Sequence, residues 1–170
     1  MYFTGHAAGS IYYEGGSGSN FLCMPRDPEW GTVIDGSSWN GHIAGVEYEL
    51  INAYNNIFDE SNTGGVALLD QPAPCAVCYV GRVAVLMIPA KLQCPDGWNV
   101  EYVGYLASQA GNDAARKRSS YVCWDAAPEI SDGATAQNQA LIYPVAAVCG
   151  SLPCSTYTTG KELACVVCSK

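Results

Sequence analysis

Charge is scarce in this chain. Only 14% of its 170 residues are charged, against about 25% in an average soluble protein. Cations are the scarcer sign: eight Lys and Arg stand against sixteen Asp and Glu, for a net charge of −8. Phosphate backbones are held by clustered Lys and Arg, so this balance argues against nucleic acid and leaves room for a bound cation. The two histidines, His6 and His42, each follow a glycine. Neither stands in an HExxH pattern, no nucleophile elbow is present, and no motif selects a glycosidase pair from the sixteen acids. The chain reads as a non-enzyme. No apolar stretch approaches the ~20 residues of a membrane-spanning helix. Met1 is followed by Tyr2-Phe3-Thr4-Gly5-His6, not by a basic and then apolar leader, so a secreted chain is expected here in its mature form. Fixed-period repeats and the EF-hand series are also missing.

Apolar residues, glycine and tyrosine fill the space that charge leaves. Hydrophobic residues make up 49%, with 18 Gly and 11 Tyr. That balance suits a turn-rich, strand-rich extracellular protein. The longest apolar run, Val83 to Ile88, lies within the stretch Pro74 to Leu106. It is apolar at every position, so a strand buried on both faces is expected. Pro95-Asp96-Gly97 then forms a turn, and Trp98 to Leu106 returns with alternating character, so the two runs read as neighbouring strands. Further strands are expected at Tyr2-Phe3, Ile11 to Tyr13, Phe21-Leu22, Ile43 to Ile51, Tyr121 to Trp124 and Ala140 to Val148. Only Ser108 to Ser120 looks helical, with Asn112-Asp113 as its cap. Glu47 and Glu49 alternate with apolar neighbours and read as solvent-facing. Trp30, Trp39 and Trp98 read as packing residues. The expectation is one domain over 1–170, mainly β, with long loops, one or two short helices and disulfide staples.

Nine cysteines are present, two pairs of them in CxxC spacing, Cys75/Cys78 and Cys165/Cys168. Two CxxC pairs can make a zinc site. Five more cysteines then lack a purpose, whereas an oxidising compartment accounts for all of them as disulfides. Their connectivity stays open at this level. An odd total leaves one cysteine unpaired within the chain and points to an intermolecular bridge. A disulfide-linked homodimer is expected, secreted and extracellular.

Several segments together carry a resemblance: GHAAGSIYYEGGSGSNFLCMPRDPEW, EYEL, APCAVCYV, LMIPAKLQCPDGWNVEYVGYL, YVCWDAAPE and IYPVAAVCGSLPCSTYTTGKELACVVC. In this order they resemble the short-chain collagen C4-like family of secreted invertebrate modules. Within that family the chain is most similar to sea-anemone lectins that bind galactose with the help of calcium. Family members carry an additional N-terminal cysteine segment before the position of Tyr2, where the partner of the odd cysteine is expected. Gln71-Pro72-Ala73 and the loop after Leu106 also depart from the family pattern, which turns attention to variable loops.

The resemblance implies a lectin for galactose-terminated glycans with Ca2+ as cofactor. Calcium takes six to eight oxygen ligands, and a sugar site adds hydroxyl donors and an aromatic ring for the apolar face of galactose. The loop 108–118 supplies suitable types. Gln109, Asn112, Asp113, Arg116, Arg118 and Trp124 are the expected sugar contacts, and Asn112, Asp113 and Asp125 the expected calcium ligands. Asp59-Glu60-Ser61-Asn62 is a second calcium candidate, otherwise a solvated loop. Asp70-Gln71-Pro72 is similar to the Gln-Pro element of galactose-type C-type lectins. A matrix module without sugar specificity is the competing expectation.

Overall fold

A computed structural model describes residues 1–32, 40–50, 57–111 and 116–170. Nine strands form one continuous sheet: β1 (Phe3–Gly9), β2 (Leu22–Pro25), β3 (Ala44–Tyr48), β4 (Pro74–Val77), β5 (Val85–Pro89), β6 (Asn99–Ser108), β7 (Val122–Asp125), β8 (Ala140–Pro144) and β9 (Ala164–Ser169). The order is β2-β1-β3-β8-β6-β9-β5, with β4 also on β1 and β7 also on β6. Among the described residues the helical content is one 3-10 turn, Glu60–Thr63. The β-rich, disulfide-stapled fold expected from composition is therefore present. The helix expected over Ser108 to Ser120 is not seen in the described part of that segment: Ser108 ends β6, and residues 116–120 are irregular.

The central stretch differs from the sequence reading in two ways. First, β5 and β6 do not pair with each other. β9 lies between them, antiparallel to both. The Pro95-Asp96-Gly97 turn exists, with Trp98 N–H donating to the Pro95 carbonyl and Gly97 at a φ of 78°, but it serves a wider connection. Second, β5 is an edge strand, not a buried one. Val83 is 100% exposed and Val85 58%. A uniformly apolar run signals burial only where both faces are covered. The expected strand at Ile11 to Tyr13 is a turn following β1, and the segment Pro74–Val77, for which no strand was expected, is a strand on β1.

Four disulfides are formed: Cys23–Cys75, Cys94–Cys168, Cys123–Cys165 and Cys149–Cys154. Cys165 and Cys168 are three residues apart on β9, so their side chains project from opposite faces. Neither CxxC closes on itself: Cys165 and Cys168 serve separate partners, and Cys75 pairs with Cys23 while Cys78 stays free. Cys123–Cys165 ties β7 to β9 across a separation of 42 residues, a cross-link contributing about 4 kcal/mol on loop-entropy grounds.

The core packs on the inner face of β3, β7 and β8. Val46, Tyr48, Leu50, Phe58, Leu68, Trp124, Ala140 and Ile142 form its buried cluster. Tyr48 and Trp124 stack with ring centroids 4.6 Å apart, and Phe58 lies 4.2 Å from Trp124. Tyr48 donates its hydroxyl hydrogen to the Glu129 carbonyl at 2.8 Å, so its polar end is satisfied inside the core.

Gly104 makes this packing possible. A Cβ there would lie 1.8 Å from the Trp124 carbonyl oxygen, a backbone atom that cannot yield. Gly45 on β3 has nothing within 4 Å of the same construction. Gly104→Ala should therefore lose more than about 2 kcal/mol, while Gly45→Ala stays within about 0.5 kcal/mol. Denaturant unfolding monitored by near-UV circular dichroism checks both.

Candidate functional site

The end of β6 and the start of β7 border a cavity of about 820 Å3. Ser108, Gln109, Arg116, Lys117, Arg118, Ser119 and Tyr121 line it, with Pro144 to Ala146 behind. Three of the chain's eight cations thus face one hollow. The mouth is held by Gln109 N–H donating to Ser119 Oγ at 2.8 Å. The Gln109 side-chain oxygen is already occupied by Ala110 N–H at 3.0 Å, leaving its amide hydrogens as the outward donors. Arg118 is exposed and belongs to none of the ion pairs found among the described residues.

Arg116 stands on a different footing. Its guanidinium lies 4.8 Å from the Tyr12 ring centroid and 5.3 Å from that of Tyr143. Its Nη1 donates to Tyr143 Oη at 2.6 Å, and its Nε is buried without a partner. Two aromatic faces stabilise this cation, so Arg116 is a fixed wall of the cavity more than a free donor.

Arg116 also acts electrostatically on Glu49, as does Asp70. The Glu49 carboxyl is raised above its ordinary value of 4.5, first by burial and then by the Asp70 charge, with Arg116 pulling the other way. Asp70 is held there by its backbone: its N–H donates to the Tyr48 carbonyl at 2.9 Å, and its φ of 61° is a left-handed conformation that costs a non-glycine residue energy. Carboxylates such as Glu49 and Asp70 are of the chemistry that a hard divalent cation takes. Among the described residues no group of three or more His, Cys, Asp or Glu gathers that could hold a metal, so backbone or amide oxygens would have to complete any coordination shell.

The expected site residues divide accordingly. Gln109, Arg116 and Arg118 come together at the cavity. Asn112 and Asp113 lie outside the described residues. Trp124 does not reach the site: it is 6% exposed and belongs to the core. Period-two alternation along β7 turns Trp124 inward together with Val122 and leaves Tyr121 outside. Tyr121, 64% exposed and on the cavity wall, supplies the aromatic surface instead. Asp125 does not join the loop. It pairs with Gly104, whereas Val122 pairs with Ala107, so it lies at the far end of β7, about 10 Å further along at ~3.3 Å per residue. Its carboxylate accepts from Ala127 N–H at 2.9 Å and closes a turn.

Other candidates have structural roles. Glu47 is not solvent-facing: it is 3% exposed and accepts from the N–H groups of Gln137 and Asn138 at 2.8 and 2.7 Å. Ala136 and Asn138 both take positive φ, which turns successive N–H groups toward one anion. Asp59 accepts from Ser61 N–H and caps the 3-10 turn, and that bond lowers its pKa. Trp30, expected to pack, is exposed, and Trp39 lies outside the described residues. His6 Nδ1 meets Ser131 Oγ at 2.8 Å, but the neighbouring Asp132 contacts Ser131 and Arg26, not the imidazole. That order lacks the base-orienting carboxylate of a hydrolytic triad.

Set against known proteins, the chain matches no family model, no curated protein and no solved structure.

Two substitutions test the carboxylates. Because the Glu49 pKa is raised in the folded state, its protonated form is favoured there. The stability this contributes is complete below pH 4.5 and is lost as pH rises through the folded value. Without added metal, Glu49→Gln should be more stable than the native chain at neutral pH, and the gap should close in acid. Glu47→Ala should cost about 1–2 kcal/mol by removing the buried carboxylate that the part-buried N–H groups of Gln137 and Asn138 share. Urea unfolding across a pH series checks both.

Proposed function

We propose that this protein is a secreted lectin that binds galactose-terminated glycans with calcium as cofactor. The observation that carries the reading is Arg116, which lines a donor-bearing cavity and also acts on Glu49, whose carboxyl is raised by burial and by Asp70. A galactoside needs hydroxyl partners and an apolar surface on one side. Gln109, Arg118 and Ser119 supply the partners, and Tyr121 supplies the surface. Glu49 and Asp70 would hold the calcium ion, which adds a Lewis-acidic partner for sugar hydroxyls when bound. Arg116, stacked between Tyr12 and Tyr143, fixes the distance between the two halves. The segment similarity to calcium-assisted galactose lectins supports the same reading. Four disulfides support an oxidising, extracellular setting.

Cys78 is the one cysteine left free, and it is exposed. We assign to it the bridge of a covalent homodimer that presents two sugar sites. Bivalency raises avidity by about 10²–10⁴ where both sites reach one surface. The alternative, a matrix module without sugar specificity, is favoured by the same cysteine, because a bridge between chains also serves assembly.

Calorimetric titration with lactose tests the lectin. Binding should require calcium and vanish on chelation, return on adding calcium, and weaken about tenfold in Tyr121→Ala. No heat of binding with calcium present would leave the matrix module standing. Electrophoresis tests the bridge: a band at twice the 18.0 kDa chain should collapse to a single-chain band on reduction, and Cys78→Ser should run as a single chain without reductant.

A further inference from the structure

We propose that the free edge of β5 pairs with β5 of a second copy of this chain, antiparallel about a twofold axis at Leu86. The inference goes beyond sugar binding and does not depend on it.

β5 ends the sheet, and its hydrogen bonds to β9 define which groups are spent. Ala84 and Lys170 exchange two backbone bonds, N–H to carbonyl in each direction. The register Leu86↔Cys168 and Ile88↔Val166 continues that set. In an antiparallel ladder bonded and non-bonded pairs alternate. The N–H and carbonyl groups of Val85 and Met87 therefore point away from β9, toward open solvent. Edge strands are ordinarily guarded by charge, proline or a covering segment. Here no charged residue occurs between Arg82 and Lys91, and Arg82 is neutralised by Glu101 at 2.7 Å.

The edge is complementary to itself. With the axis at Leu86, Val85 faces Met87 of the other copy and Met87 faces its Val85. Each such pair exchanges two N–H···O bonds, so every outward group of these residues is satisfied. Pro89, which has no N–H to give, falls opposite Val83, where the chain already bends out of the strand. The ladder therefore stops at both ends without an orphaned donor. Side chains agree. Leu86 is 43% exposed and Val100 53%, and both align with Cys168 on one face. Pairing places Leu86 beside Leu86 of the copy and joins two exposed apolar rows into one.

The self-matching register selects a second copy as the occupant, and charge at this edge does not oppose it. A chain of net charge −8 repels itself over most of its surface, and this uncharged edge sets no carboxylate against another. A stable interface takes about 800 Å2 from each partner, more than one short strand provides. The pairing is therefore reversible, and it is separate from the Cys78 bridge.

Sedimentation equilibrium of the Cys78→Ser protein over a concentration series isolates the edge. A reversible monomer–dimer equilibrium is expected. Val85→Pro removes an outward N–H without touching the β9 ladder, and Leu86→Lys puts like charges on the axis. Either should raise the dissociation constant at least tenfold with an unchanged near-UV spectrum. Hydrogen exchange should show Val85 and Met87 amides protected only at concentrations where the dimer forms. A Cys78→Ser protein that stays monomeric at every concentration overturns the proposal, as does a dimer indifferent to both edge variants. Lactose binding should be the same in all these variants, because β5 contributes nothing to the cavity, so its loss would count against the lectin reading alone.

Discussion

One backbone crossing governs the rest of this molecule. At Gly104 the Trp124 carbonyl passes so close that no side chain fits between. That approach sets the height of β7 over β6 and fixes where Trp124 enters the core. Tyr48 and Phe58 then pack on its ring, which positions β3 and the segment after residue 56. The other end of β7 carries Tyr121 to the cavity wall. A single residue without a Cβ thus determines both the aromatic core and the aromatic surface offered to a ligand.

Scarce charge is deployed economically. Glu47 clamps the loop ending at Asn138, Asp59 caps a turn, Asp125 closes another, and Asp132 holds Arg26. Each of these carboxylates has a local donor. Glu49 and Asp70 do not share that arrangement. They face each other close enough for burial and repulsion to raise the Glu49 pKa. Arg116, held by Tyr12 and Tyr143, acts in the opposite sense and lowers it.

The strand-rich class was legible because alternation and turn residues are local signals. Leu22–Pro25, Ala44–Tyr48, Asn99–Ser108 and Val122–Asp125 fall where the pattern indicates, within a few residues. Non-local features were not legible. The apolar run at Val85 looked buried, yet its exposure depends on being last in the strand order. Nothing near Pro95-Asp96-Gly97 reveals that β9, which begins only at Ala164, will lie between its two arms. At the candidate site, Gln109, Arg116 and Arg118 were found as a polar loop cluster. Trp124 was misplaced because its residue type suggested a sugar platform, while it shares the inward face of β7 with Val122 and Tyr121, just before the strand, is the exposed ring. Glu47 could not be foreseen as buried, since its donors are backbone groups some 90 residues away.

The position of β9 in the chain bears on biosynthesis. The strand that joins β5 to β6 is the last of the nine to be made, and it carries half of two disulfides, at Cys165 and Cys168. Until residue 169 has left the ribosome, β5 and the first half of β6 lack their shared neighbour, and Cys94 and Cys123 lack their partners. Folding cannot proceed strand by strand behind the emerging chain. It must wait for a late, long-range closure, the kind of topology that folds slowly. Through that interval two apolar strand edges lack their neighbour and the thiols of Cys94 and Cys123 lack their partners at the same time.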